Sequence, residues 1–300
     1  MKEPLRVLLN EVVDYAGLFP PAGLDMTTSA RNYAKYAAGP CSWALGRFII
    51  PVSRLEEFNF SVADFSGGDG ARPWKVSALA GSDLSGDLER IEAFNRWHAE
   101  RDARLKVVID TVEIKAATPE LVDQAAKEPP DSIRVFFEMP IDRDPVGLLS
   151  AISMTGRSAK VRTGGVTRET FPPVGDLTRF LDASLRTGVI FKATAGLHHP
   201  IRGMHPLTYE PDTPKAVMHG FLNLLLCAAF MYDGMGPDEA GGVLAEEAAT
   251  AFCFDREGVE WRGHRLAIPA IAAARSGFAF SFGSCSFEEP LEDLKRLGLL

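Results

Sequence analysis

The chain has 300 residues, 46% of them apolar, with a formal net charge of −8. That length and apolar content support one large core, and an acidic balance with no basic, aromatic-studded stripe speaks against nucleic acid as a partner. The longest strongly apolar run, residues 220–232, is too short to cross a bilayer, so no membrane role is expected. The N-terminus, amphipathic and acid-bearing, lacks the basic start and apolar centre of a signal peptide. Four scattered cysteines, Cys41, Cys227, Cys253 and Cys285, read as reduced, mostly buried thiols of a cytoplasmic protein.

In chain order, the helical spacing of Leu5, Leu8, Leu9, Val12 and Val13 predicts a helix over 3–14. Gly17, Pro20, Pro21 and Gly23 break it, leaving FPPAG (19–23) as a rigid loop and candidate lid. Thr27 or Thr28 then caps a second helix that ends at Gly39. From residue 46 an alternation begins. Strands are expected at 46–51, 74–80, 105–112, 133–140, 159–165 and 189–196, with helices near 53–60, 85–102, 118–127, 144–154 and 174–187. The strand-to-strand spacing of about 25 to 30 residues is the rhythm of βαβ units. Later come helices at 213–232 and 237–248, a hairpin turning at Asp255-Arg256-Glu257-Gly258, a helix at 268–275, a strand at 278–285 and a closing helix from Pro290. Trp43, Trp74, Trp97 and Trp261 are spread out and read as core or interface residues.

The expected fold is α/β, a (β/α)8 TIM-type barrel forming one domain over 1–300. Residues 1–40 would be an N-terminal helical extension and 46–300 the barrel, with AFCF (251–254) as a seventh strand in an irregular unit that carries the hairpin. An open doubly wound sheet is the alternative, weakened by the absence of a GxGxxG fingerprint after the first strand.

Three apolar runs carry an ionisable residue near the same end: Glu138 in VFFEMP, Arg162 in AKVRTGG and Lys192 in VIFKATAG. A charge at the carboxyl end of a buried strand is costly unless paired or used, and ligands gather there. Ser77, Asp110, Glu113, Glu138, Arg162, Lys192, His198, His199 and Ser284 are expected around one mouth. The bland alternative is an internal salt-bridge layer of Glu138, Arg162 and Lys192. Lys192, among apolar and small residues, is expected to lose its proton easily and to act as an imine-forming or proton-transferring amine. Glu138 with His198 or His199 would move protons.

Lys192-Ala193-Thr194-Ala195-Gly196 resembles the Lys-x-Thr-x-Gly strand of class I deoxyribose-phosphate-type aldolases. That resemblance covers about seven residues and implies a (β/α)8 barrel with Lys192 as a Schiff-base lysine. Only Lys192 maps onto the family's pattern; its second motif, Lys-x-x-Gly-Gly, does not follow Lys192, and Arg162-Thr163-Gly164-Gly165 precedes it instead.

Anion binding is assigned to Arg162 with the backbone of Gly164 and Gly165, and to the Gly283–Ser284 loop ahead of the last helix. Ser286 and Glu289 there have capping-box spacing and would compete for the same N–H groups. A divalent metal held by His198 or His199 with Glu113 or Glu138 is a second reading. The leading expectation is an enzyme acting on a small anionic carbonyl compound as a carbon–carbon lyase, aldolase or isomerase, with no cofactor required. The alternatives are a metal-dependent barrel lyase or hydrolase and a non-catalytic metabolite-binding barrel. A homo-oligomer is compatible with the sequence.

Overall fold

The computed structural model describes residues 1–65, 72–100 and 105–300. Eight parallel strands close into a barrel: β1 (Val13–Tyr15), β2 (Leu45–Pro51), β3 (Trp74–Leu79), β4 (Val107–Lys115), β5 (Arg134–Met139), β6 (Ser158–Arg162), β7 (Phe191–Thr194) and, far later in the chain, Ala279–Ser284. Between the last two stand a two-stranded antiparallel excursion, β8 (Gly203–Pro206) with β9 (Lys215–Met218), and a three-stranded sheet, β10 (Phe252–Phe254), β11 (Gly258–Trp261) and β12 (His264–Ala267). The closing strand is therefore β13. Eleven α-helices are described: α1 (Glu3–Leu9), α2 (Met26–Ala37), α3 (Leu55–Ser61), α4 (Leu84–Glu100), α5 (Pro119–Ala125), α6 (Val146–Met154), α7 (Val174–Arg186), α8 (Phe221–Tyr232), α9 (Pro237–Ala245), α10 (Ile268–Gly277) and α11 (Glu288–Arg296).

The (β/α)8 barrel is thus present, but two of its strands differ from expectation. The first helix stops at Leu9, and Glu11 takes a left-handed φ of +48°. Val13–Tyr15 then pairs with β13 on one side and β2 on the other. The segment read as an N-terminal extension therefore supplies the first barrel strand. AFCF does not enter the barrel; Phe252–Phe254 pairs antiparallel with β11, in the small outer sheet. The hairpin at Asp255–Gly258 forms as expected, and β12 adds a third strand. Lys215–Met218 is strand where a helix was expected, because the helix begins only after Gly220. Asp25, not a threonine, caps α2 by accepting the Thr28 N–H. The last residues of the helix expected to reach 102 lie outside the described residues.

Alternation along each strand sorts the side chains. Val76, Ala78, Val135, Phe137, Val161, Ala193 and Phe282 are buried on the outward face, where the helices cover them. That annulus between sheet and helices is the apolar core. The inward face is charged: Asp14, Glu113, Lys160 and Lys192 are buried inside the ring. Below them the barrel is floored by Phe136 and Phe280, whose ring centroids lie 5.2 Å apart. The guanidinium groups of Arg47 and Arg134 stand over Phe280 at 4.8 and 4.7 Å.

Candidate active site

The register places Lys115, Glu138, Lys160 and Lys192 opposite one another across β4, β5, β6 and β7. Arg162 is opposite Thr194, one pleat nearer the mouth. The aligned ionisable residue on β6 is therefore Lys160, not Arg162, a correction to the charge layer expected from Glu138, Arg162 and Lys192. Asp14, concealed in what reads as a helix, is the other member the sequence did not suggest.

These groups form one chain of ion pairs. Lys192 Nζ is 2.7 Å from Asp14 Oδ2 and 2.7 Å from Glu113 Oε1. Lys160 Nζ meets the other oxygen of Glu113 and lies 2.6 Å from Glu138 Oε2. Hydroxyls complete the set: Ser77 donates to Glu113 Oε1 at 2.6 Å, and Ser281 donates to Asp14 Oδ2 at 2.7 Å. The Arg47 backbone N–H donates to Asp14 Oδ1 at 2.8 Å. Burial alone would raise the Glu113 carboxyl pKa, but the attraction and hydrogen bonds of Lys160 and Lys192 prevail and hold it below the usual carboxylate range. Burial likewise opposes the charge on Lys192, yet Asp14 and Glu113 outweigh it and raise the amine's pKa. Lys192 is therefore a charged ammonium in this setting rather than the easily deprotonated amine that its apolar neighbours suggested.

Above the ion chain opens a cavity of about 410 Å³, within the usual range for small-molecule sites. Glu113, Glu138 and Lys160 form its polar floor and wall, with Ile49, Leu79 and Gly283 beside them. Lys192 does not line it; its side chain is fully buried. Phe19, Pro20 and Pro21 of the FPPAG loop cover one side of the mouth, and Leu207, Thr208 and Tyr209 of the β8–β9 excursion cover another. Lys115 and Arg162 line the rim.

His198 and His199 line the same cavity but turn their polar atoms to α11. His198 Nδ1 is 3.0 Å from Glu289 Oε2, and His199 Nδ1 is 2.6 Å from Asp293 Oδ2. Tyr209 donates to Glu289 Oε2 at 2.9 Å. Burial would lower the His198 pKa, but hydrogen bonds with Cys285 and Glu289 raise it to about 10. His205, stacked on His199 with centroids 3.5 Å apart, is pushed down to about 4 by burial and by that neighbouring imidazole. Among the described residues no three His, Cys, Asp or Glu side chains converge as a metal ligand set. Glu113 and Glu138 face lysines, and the two histidines face Glu289 and Asp293.

The expected anion cradles are only partly built. Gly165 reaches the cavity wall, but Gly164 is buried where a Cβ would lie 2.9 Å from the Gly196 Cα and 2.5 Å from Phe171. Its small size serves a close approach of two loops. Gly283 faces the cavity, where a Cβ would come within 2.8 Å of Thr194 Oγ1. Ser284 turns away: its carbonyl accepts the Ala16 N–H and its hydroxyl accepts the Ser286 N–H. Ser286 Oγ in turn accepts the Glu289 N–H at 3.1 Å, so a side chain already fills one of the donors an anion would use. Asp110, expected at the mouth, lies at the opposite end and forms a two-pronged ion pair with Arg47 at 2.6 and 2.7 Å.

No protein-family model matches the chain, and no curated protein matches it in sequence. No helix among the described residues is long and apolar enough to cross a membrane. The closed parallel barrel, with charged side chains from several strands gathered under one cavity at the carboxyl ends, is an arrangement compatible with an enzyme.

Proposed function

We propose that the protein is an enzyme that forms an imine between Lys160 and a small carbonyl compound, and uses it to break or make a carbon–carbon bond or to isomerise the substrate. One observation carries this reading: Lys160 is the lysine buried at the cavity floor, and its Nζ sits between two carboxylates, Glu113 and Glu138. Lys192, the residue that the aldolase resemblance singles out, supports it from behind Glu113 rather than facing substrate.

The chemistry needs a proton acceptor beside the amine. Glu138, the more open of the two carboxylates, takes one proton from the Lys160 ammonium, so that the freed amine attacks the carbonyl carbon and passes a second N–H proton to the alkoxide that forms, giving the neutral carbinolamine. Glu138 returns its proton to the carbinolamine hydroxyl, which departs as water and leaves the iminium. Glu113, kept ionised by Lys192, faces the iminium charge. Removal of an α-proton by Glu138 then gives the enamine, the species that adds to a second carbonyl or results from carbon–carbon cleavage. No cofactor is needed for these steps.

The test is α-proton exchange. In D₂O, short aldehydes and ketones incubated with the protein are expected to take up deuterium at the α-carbon, read by ¹H NMR. Lys160→Ala should abolish the uptake. A second reading, an ion network with no chemistry, is favoured by how fully the five charged groups satisfy one another. It predicts no enhanced exchange with any carbonyl offered, and that result would displace the imine.

A further inference from the structure

Charged side chains around the cavity fall into two groups. Glu113, Glu138 and Lys160 pair among themselves, as do His198 and Glu289. Lys115 and Arg162 line the same cavity, and neither has a carboxylate partner among the described residues. Each stands two residues beyond a member of the ion chain, Lys115 beyond Glu113 on β4 and Arg162 beyond Lys160 on β6. Residues two apart on a strand share a face. Along its own strand each cation thus stands one pleat beyond a member of the charge set, on the two strands that flank β5, with Lys115 also opposite Glu138 in the register and Arg162 beyond that row.

We infer that Lys115 and Arg162 clamp an anionic group of the substrate, and that the spacing from clamp to floor sets which carbonyl compounds fit. This rests on the imine reading only for where the carbonyl carbon sits. One pleat of a parallel strand is about 6.6 Å. With Lys160 and Arg162 extended side by side from one strand, that offset carries to their head groups, and a carboxylate bonded directly to the carbonyl carbon, ~1.5 Å away, falls short of it. Roughly two or three intervening atoms span the gap. The substrate class is then a short aldehyde or ketone bearing a carboxylate or phosphate two or three atoms from its carbonyl, preferred over 2-oxo acids. An arginine fork accepts either anion in a two-pronged contact, and a lysine adds a point charge. The apolar side chains of Ile49, Leu79 and Phe19 form the rest of the wall, which suits the short chain between the two polar ends.

Deuterium uptake is measured for 4-oxobutanoate, 3-oxopropyl phosphate, butanal and 2-oxobutanoate, with wild type and the double variant Lys115→Gln/Arg162→Gln. Half-saturation by 4-oxobutanoate or the phosphate aldehyde should occur at a concentration at least tenfold below that for butanal or 2-oxobutanoate. Whichever of the two is favoured identifies the anion. The double variant should reduce that preference at least tenfold. An undiminished preference in the double variant, or a wild type that favours 2-oxobutanoate or butanal, would overturn the clamp. If wild type exchanges none of these carbonyls the imine reading fails, and calorimetry with succinate and inorganic phosphate then decides the clamp alone. Binding that is lost in the double variant supports it; absent or unaltered binding overturns it.

Discussion

Replacing Lys192 by methionine tests the buried ion chain most sharply. The substitution keeps an unbranched side chain, one heavy atom shorter, and removes its charge. Glu113 would retain Lys160 and the Ser77 hydroxyl, but Asp14 would be left, among the described residues, with the Ser281 hydroxyl and the Arg47 N–H and no cation in contact. Removing one partner from a buried pair costs about 3–5 kcal/mol, because the remaining charge is desolvated without compensation. For 300 residues the unfolding entropy is roughly 0.6 kcal/mol/K, so the melting temperature should fall by about 5–8 °C. Adding Asp14→Asn removes the stranded charge, and the double variant should recover at least ~2 kcal/mol of the loss. Calorimetry at neutral pH on wild type, both single variants and the double variant supplies the cycle. A Lys192→Met cost below ~1 kcal/mol, or strictly additive effects of the two substitutions, would refute the claim that Asp14 depends on Lys192.

The raised His198 pKa makes stability depend on pH. Its contribution is complete below 6.5, the ordinary histidine value, and is lost as pH rises from there through about 10. His198→Gln should flatten the fall in melting temperature over that window, and a wild-type curve that is already flat there would contradict the His198–Glu289 pair. On the acid side, Glu113 contributes stability above about 4.5 that drains away as pH falls through its depressed folded value; Glu113→Gln should shift acid unfolding to a shallower slope, measured by circular dichroism. Gly196 has φ +74° and its absent Cβ would meet Phe171 and the Gly164 Cα at 2.7 and 3.0 Å, whereas Gly188 has φ +67° with open space around it. Gly196→Ala should therefore cost about 2–4 kcal/mol by combining conformational and packing penalties, and Gly188→Ala only about 1–2; equal losses in denaturant titrations would dismiss the packing argument.

The barrel was legible because strands buried on both faces are apolar enough to stand out and recur at βαβ spacing. Six of its strands were found this way, together with the closing strand over 279–284. The three-residue strand at Val13–Tyr15 escaped because Leu5, Leu8, Leu9, Val12 and Val13 continue a helical spacing, and the break comes from a backbone conformation at Glu11 that the side-chain pattern does not announce. Phe252–Phe254 misled in the opposite sense, since a short apolar run reads alike in a barrel and in an outer hairpin. Within the site, Glu138 and Lys192 stand out as charges in apolar runs, and Glu113 as a residue of the expected mouth. Lys160 does not, because it shares a face of its strand with Arg162 two residues on; only the pairing Glu138–Lys160–Lys192 across three strands tells which of the two joins the ion chain. The state of Lys192 could not be read locally either, since both its carboxylates come from distant strands, Asp14 lying 178 residues away in sequence.

Lys160 is the nucleophile on which the proposed chemistry depends. The protein is incubated with ¹³C-labelled aldehyde, reduced with borohydride, digested and mapped by tandem mass spectrometry. A single reduced adduct on the peptide bearing Lys160, missing in Lys160→Arg, is the predicted result. An adduct on Lys192, adducts only on exposed lysines, or none with any carbonyl compound would contradict it.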